Sequence, residues 1–384
     1  MTKTDKPAVP GERLQPAKSF WETPYFAPLD GLRALSLLLV VAGHTRTELP
    51  IKNYFSGGLG VGIFFVLSGF LITILLLREE VMRGSVSLGG FYIRRAFRIL
   101  PPYFLTVGAY LLIGLIPSQH ALKAKFLAGL PYFLSLRNEY VPKGLEVAFT
   151  HSWSLSVEEK FYFAWPLLFF IVLRKLKGRW AIVPITLIPL VISGTQSLPM
   201  AYFSLLLGCC VAIALHALRG KQSEVLAWIH RVPVLIPFFV WLVSYFASLQ
   251  GTFRVTFLLS TAALLPILLL RETPLSRILG SRVCAWIGKR TYSMYLFHAL
   301  CLTAIEERVI HPTTVTKYFG VVFLGYGVSL AVASVIYVVL ERPSVSWGRR
   351  LARAYAGDSA PRAHREGPEP RTDRKPECTV ALHQ

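Results

Sequence analysis

The sequence predicts an all-α polytopic membrane protein of about ten transmembrane helices, with N- and C-termini both cytoplasmic. Three observations predict it. Of 384 residues, 53% are hydrophobic and only 16% charged, against about 25% charged in a soluble globular domain. The apolar residues gather in runs near the length of about 20 residues that crosses a bilayer. The formal net charge of +20 is carried by the short segments between those runs.

The same composition excludes other classes. A disordered chain needs low hydrophobicity, and neither a collagen nor a coiled-coil period is present. Five cysteines in a chain of this length make no disulfide framework. Cys209 and Cys210 are adjacent within an apolar run, and Cys284, Cys301 and Cys378 lack metal-ligand spacing, so no metal site is expected. A nucleic-acid binder would carry its positive excess on a polar domain. Here the excess lies between apolar runs, which makes the lipid bilayer the partner and excludes nucleic acid.

The spans follow in order. They run near 27–44, 57–77, 99–116, 153–173, 180–193, 199–218, 232–248, 253–270, 291–305 and 319–340. The stretch 180–193 is short and borrows from its flanks. A further apolar piece, 126–136, is too short to cross and reads as an interfacial or re-entrant helix. The first span is no signal peptide, because the 26 residues before it are polar and no small-residue cleavage site follows.

Charge sets the orientation. With the N-terminus in the cytoplasm, inside segments hold 30 Lys and Arg and outside segments hold 9; Arg33 and Lys160 fall within spans. Cytoplasmic loops carry such an excess as a rule. Counting 126–136 as a full span would move Arg174, Lys175, Lys177 and Arg179 outside, which rejects that option. The chain therefore divides into an N-terminal cytoplasmic tail, 1–26, a membrane domain, 27–343, and a polar, disordered cytoplasmic tail, 344–384.

Ionisable side chains within spans are costly and mark function by default. Asp30 and Arg33, three residues apart, share a helix face and can pair at the helix entrance. Arg33 and His44 are eleven residues apart, so they lie on one face, roughly 16 Å apart in depth. That puts Arg33 towards the cytoplasm and His44 towards the outer side. The fourth span opens with His151-Ser-Trp153-Ser-Leu-Ser-Val-Glu158-Glu159-Lys160-Phe-Tyr162. An interfacial helix start, with a serine cap and dipole-favoured acids, accounts for Glu159 and Lys160 better than for Glu158, which can face inward beside His44. Arg95 and Arg98, at i,i+3, are ordinary positive-inside anchors on one reading. On the other, their forks suit a phosphorylated cofactor. The ninth span carries Tyr292-Ser-Met-Tyr295-Leu-Phe-His298, with His298 near mid-depth, a weaker catalytic candidate than His44 and a natural pocket residue.

These segments together resemble the acyltransferase 3 family of bacterial integral-membrane acyltransferases, over about residues 25 to 343. The elements are Arg33 followed after ten residues by His44, Arg95-x-x-Arg98, Trp153-Ser-Leu-Ser-Val-Glu158-Glu-Lys-Phe161-Tyr162 with Trp165-Pro166, Tyr292-Ser-Met-Tyr295-Leu-Phe-His298, and Glu341-Arg-Pro343. The resemblance implies a multi-pass protein of the bacterial cytoplasmic (inner) membrane. It implies transfer of an acyl group, acetyl foremost, from cytoplasmic acyl-CoA to a hydroxyl of a glycan, glycolipid or macrolide. By that likeness His44 is the catalytic histidine, Glu158 an essential acid, and Arg95 and Arg98 the CoA-side pair; Arg33 would line the channel for the donor arm or bind its thioester end. Trp153, Tyr162, Tyr295 and His298 would form the pocket. Some members of the family carry an additional extracytoplasmic esterase-like domain; this chain looks like a stand-alone member.

Transfer to an alcohol needs a base for the hydroxyl proton, and histidine, titrating near pH 6.5, fits. A carboxylate at its other nitrogen would fix the tautomer, with Glu158 first and Glu159 second in line. No serine or cysteine sits in a nucleophile-elbow context, which favours direct transfer; an acyl-histidine is the other route. The rival classes are a secondary transporter, which usually shows repeated halves and broken helices at the midplane, and a non-catalytic scaffold. No corresponding halves are visible, and the polar residues lie at two depths.

Overall fold

The structure, a computed structural model, describes residues 25–359 apart from gaps at 117–119, 143, 174–178, 180–181, 194–196, 220–223, 225–226, 228, 230, 234, 250 and 252. All regular structure among the described residues is helical. The main helices are α1 (Ala27–His44), α2 (Gly57–Arg83), α3 (Leu88–Ile113), α4 (His120–Leu134), α5 (Trp153–Leu167), α6 (Ile182–Ser193), α7 (Ser197–Ala217), α8 (Leu235–Ser248) and α9 (Arg254–Leu270). Two short helices follow, α10 (Pro274–Leu279) and α11 (Arg282–Gly288), then α12 (Thr291–Arg308), α13 (Val315–Ile336) and α14 (Arg342–Ser359). A π-helical stretch, Leu168–Leu173, extends α5, and another, Tyr337–Glu341, joins α13 to α14.

Every apolar run of the sequence carries one of these helices. Five helical segments are long and apolar enough to cross a membrane: Ala27–His44, Pro50–Arg83, Leu88–Ile113, Leu198–Ala217 and Val315–Ala356. Large apolar side chains such as Phe163, Val243, Phe323 and Val335 are exposed on helix flanks. A bilayer would cover them at no cost, whereas water would not.

Local chemistry sets the helix ends. The Ser56 hydroxyl accepts from Leu59 N at 3.4 Å and caps α2, while Gly84, at φ +70°, ends it in the left-handed conformation that glycine adopts freely. The Ser87 hydroxyl accepts from Gly90 N at 3.2 Å and starts α3. That start lies eleven residues before the apolar run read at 99, so Arg94, Arg95 and Arg98 are helical rather than loop residues.

α2 is the central post, packed against α1, α5, α7 and α9. Its seam with α7 depends on two glycines. A Cβ on Gly69 would stand 1.8 Å from Leu205 O, and one on Gly208 would stand 2.0 Å from Val66 O. Small residues let helix backbones approach this closely where lipid supplies no hydrophobic drive. α4, with 15 residues, reaches only about 22 Å. It turns Phe126 and Phe133 onto Tyr110 and Phe149.

The C-terminal expectation needs correction. Residues 344–359 do not form a disordered tail: they belong to α14, which packs along α3. The reason is a narrow face of small residues, Gly348 and Ala352, buried against α3, with the Tyr355 ring against Gly89, in a segment that arginines make polar on average; the larger Trp347 and Leu351 stay exposed. Residues 360–384 and 1–24, like Arg174, Lys175 and Lys177, lie outside the described residues.

Candidate functional site

The predicted site residues gather in two clusters. The first surrounds a deep recess with an empty volume of about 720 Å³, its open mouth included. α1 contributes Arg33; α2 Phe64, Phe65 and Ser68; α3 Arg95 and Arg98; α5 Ser154, Glu158, Glu159 and Tyr162; α12 Tyr292 and Tyr295. Trp153 stands behind it, its ring 6.1 Å from Phe65. The Glu158 carboxylate accepts hydrogen bonds from the Ser68 and Tyr162 hydroxyls. The Arg95 guanidinium lies 4.9 Å from the centre of the Tyr162 ring.

Glu159 departs from its expected role at the helix start. It lines the same recess, and its buried Oε1 has no hydrogen-bond partner among the described residues. Lys160, one residue on, points away: it donates to Glu139 and, at 2.8 Å, to Leu136 O. It ties α5 to the segment after α4, a structural task.

Arg33, Arg95 and Arg98 also line a second, wider recess of about 1500 Å³, open solvent included. The three arginines therefore stand at a junction. On the wide side Arg33 Nη1 bonds Asp30 Oδ1 at 3.0 Å, and Tyr25 donates to the other Asp30 oxygen. Burial, with the Asp30 carboxylate adding to it, raises the Tyr25 hydroxyl pKa above its ordinary value. Arg78 and Lys289 add further positive charge there.

The second cluster lies at the far end of α1 and is built of histidines. The His44 ring is 5.1 Å from His298 and 6.3 Å from His151, and the latter two are 4.6 Å apart. His151 and His298 are buried; His44 is exposed. Backbone carbonyls orient all three. His44 Nδ1 lies 2.8 Å from Val40 O, His298 Nδ1 2.6 Å from Tyr295 O, and His151 Nε2 3.3 Å from Leu296 O. A carbonyl only accepts, so each contacting nitrogen carries the proton. Neutral His44 therefore presents the lone pair of Nε2 at an exposed ring. His298 Nε2 is also without a hydrogen-bond partner among the described residues.

The expected direct pairing of His44 with Glu158 is not formed. Glu158 sits about 7.5 Å along α5 from Trp153, and the 3₁₀ turn Thr150–Ser152 before that helix presents His151, not Glu158, to His44. Tyr295 joins the two clusters. Its hydroxyl donates to His151 O at 2.7 Å and lies 2.6 Å from Ser154 Oγ; its ring is 5.4 Å from His298, and it lines the deep recess. Sequence reasoning gave His151 and Ser68 no role. Both had a signal: a histidine at a span entrance and a lone serine within an apolar run. Among the described residues no group of three or more His, Cys, Asp or Glu is placed to hold a metal ion.

Comparison with known proteins gives a consistent result. The family described as acyltransferase domain matches residues 26–338. A putative O-acetyltransferase of Staphylococcus aureus (strain COL) is 27% identical over 353 residues, covering 83% of this chain and 57% of the relative. A putative peptidoglycan O-acetyltransferase of Bacillus subtilis (strain 168) is 26% identical over 364 residues, covering 85% and 56%. A peptidoglycan O-acetyltransferase of Listeria monocytogenes is 27% identical over 315 residues, covering 73% and 50%. The chain thus spans about half the length of these relatives. No solved structure matches.

Proposed function

The chain belongs to the acyltransferase 3 family, and from that premise we propose that it is a membrane O-acyltransferase moving an acetyl group from cytoplasmic acyl-CoA to a glycan hydroxyl presented at the outer face. The observation that carries this reading is the junction of the two recesses. A wide arginine-lined recess and a narrower deep one share Arg33, Arg95 and Arg98, and Tyr295 leads from the deep one to the histidines. A donor with a phosphorylated head and a thin arm suits that shape: phosphates on the arginines, arm in the deep recess, thioester towards His44.

His44 Nε2 then takes the proton of the acceptor hydroxyl. The oxygen attacks the thioester carbonyl, the C–S bond breaks, and the thiolate leaves with a proton returned by the imidazolium. Val40 O fixes the reactive tautomer, the part a carboxylate plays in a triad. Glu158 holds Ser68 and Tyr162 in the wall of the deep recess and positions the donor arm. Trp153, Tyr162, Tyr295 and His298 shape the pocket. Ten crossings with both termini in the cytoplasm put the arginine recess inside and His44 outside; the charge split of 30 to 9 supports this. Two relatives have peptidoglycan in their names, which favours a peptidoglycan-type sugar as acceptor.

The test is reconstitution in liposomes with radiolabelled acetyl-CoA on one side and muropeptide acceptors on the other. Label in acceptor ester, dependent on His44, is the expected result. Acceptor flux without any acyl donor would support the secondary transporter instead.

A further inference from the structure

α14 begins beyond residue 338, where the acyltransferase family match ends; only its first two residues, Arg342 and Pro343, belong to the closing Glu341-Arg-Pro343 element. It nevertheless walls the wide recess. Arg342, Val345, Ser346 and Arg349 line that recess, at the i, i+3, i+4, i+7 spacing of one helix face. A different face locks the helix to α3. There Ala352 is buried, a Cβ on Gly348 would stand 2.6 Å from the Phe97 Cβ, and one on Gly89 would stand 2.4 Å from the Tyr355 ring. The docking is close, so the position of the recess face is set by packing.

Charge gives the face its purpose. Five cations from the matched domain line the recess: Arg33, Arg78, Arg95, Arg98 and Lys289. Both carboxylates in the lining have polar partners. Asp30 bonds Arg33 and Tyr25, and Glu341 accepts from Ser293 Oγ at 2.7 Å. Arg342 and Arg349 raise the positive excess further, from α14. Such an excess fits a ligand with more than one anionic group, larger than a lone carboxylate.

We propose that α14 is part of the donor site, and that Arg342 and Arg349 bind the phosphorylated nucleotide end of the acyl donor. This rests on the acyl-CoA reading above. Arg95 and Arg98, at the junction, take the phosphate nearest the arm; α14 takes the phosphate at the outer end and closes that side of the recess.

The experiment is calorimetric titration of coenzyme A into the full chain in nanodiscs of zwitterionic lipid, which removes anionic headgroups as a competing phosphate source. Three double variants are compared: Arg342→Ala/Arg349→Ala, Arg95→Ala/Arg98→Ala and, as a charge-matched control on exposed arginines that line neither recess, Arg277→Ala/Arg282→Ala. The first pair should weaken coenzyme A by at least about tenfold, the scale of a lost charge-assisted phosphate contact. Its binding of phosphate-free pantetheine should stay that of the wild type. The control should bind coenzyme A like the wild type. Unweakened binding in Arg342→Ala/Arg349→Ala, with Arg95→Ala/Arg98→Ala still impaired, would overturn the role of α14 and leave the donor reading standing. Equal weakening in the control would reduce α14 to general surface charge and also overturn it. If wild-type protein bound no coenzyme A, the donor reading would fall and the inference with it. Weakening seen only in nanodiscs containing phosphatidylglycerol would assign the face to lipid headgroups.

Discussion

His44 and Glu158 should act separately, and a double-variant cycle tests this. In the structure the His44 ring contacts Val40 O, His151 and His298, whereas Glu158 contacts Ser68 and Tyr162. Loss of a general base costs about 10²–10⁴ in rate, so His44→Ala should lower kcat by about that factor and leave the KM for acyl-CoA near the wild-type value. Glu158→Gln keeps one acceptor oxygen but gives up the charge that two hydroxyls serve. Hydrogen bonds to a charged group are worth about 1.5–3 kcal/mol, so its main effect should be a rise in donor KM of roughly tenfold to a hundredfold. Groups in one reacting unit are strongly non-additive, the double loss matching the single one. Groups in two clusters add in free energy to within about 0.5 kcal/mol. The double variant should therefore show nearly the product of the two losses in kcat/KM. The assay is initial rate in proteoliposomes against acetyl-CoA concentration, normalised to inserted protein. A double variant no slower than His44→Ala alone would refute the separation and restore a His44–Glu158 unit; a fully active His44→Ala would remove the catalytic histidine.

Three more outcomes are expected. Arg95→Ala/Arg98→Ala should raise the KM for acyl-CoA by about tenfold or more and leave that for the acceptor nearly unchanged; unchanged donor dependence would return both to simple anchors. In a cysteine-free background, Lys317→Cys should be labelled from outside intact cells and Arg277→Cys only after permeabilisation, and the reverse pattern would invert the topology. Gly69→Val drives a side chain into Leu205 O, so it should cost about 1–3 kcal/mol of overpacking strain or more, read as a lower melting temperature in detergent, while Gly108→Ala within α3, where nothing lies within 4 Å of the added Cβ, should leave it unchanged or raise it.

The helices were legible in the sequence because lipid imposes a length. Every apolar run near 20 residues carries a helix, and α1 begins and ends where its hydrophobic run does. The early start of α3 and the existence of α14 were not legible by that rule, since both lie where arginine dilutes the hydropathy. Their signals are local instead: Ser87 as cap for α3, and for α14 the small residues Gly348 and Ala352, four apart on the face that docks on α3. The site was legible as a set of residue types but not as pairs. Arg33, Arg95, Arg98, Glu158, Tyr162 and Tyr295 do share one recess. Depth along each helix placed His44 and Glu158 in the same half, but depth is one coordinate of three. Rotation of α5, and the turn that precedes it, decide that His151 faces His44.

The carbonyl contacts explain how a histidine can be oriented here without a carboxylate. A buried acid beside three histidines, two of them buried, would pair with a proton and hold the cluster in a charged state. A carbonyl from the same helix turn fixes the tautomer with no such charge. Val40 O can reach the His44 ring because it lies one turn before it on the same helix face and a carbonyl has two lone pairs; one residue on, Val41 O likewise takes both Thr45 N and Thr45 Oγ1. On the proposed mechanism, the position of His44 at the last residue of α1 is therefore what sets the direction of its ring. One residue earlier or later the ring would be turned by about 100°, away from both His151 and His298. An insertion of one alanine between Val41 and Ala42 should therefore abolish acyl transfer while coenzyme A binding at the Arg33 end persists. Loss of both together would show that the two ends of α1 do not act independently.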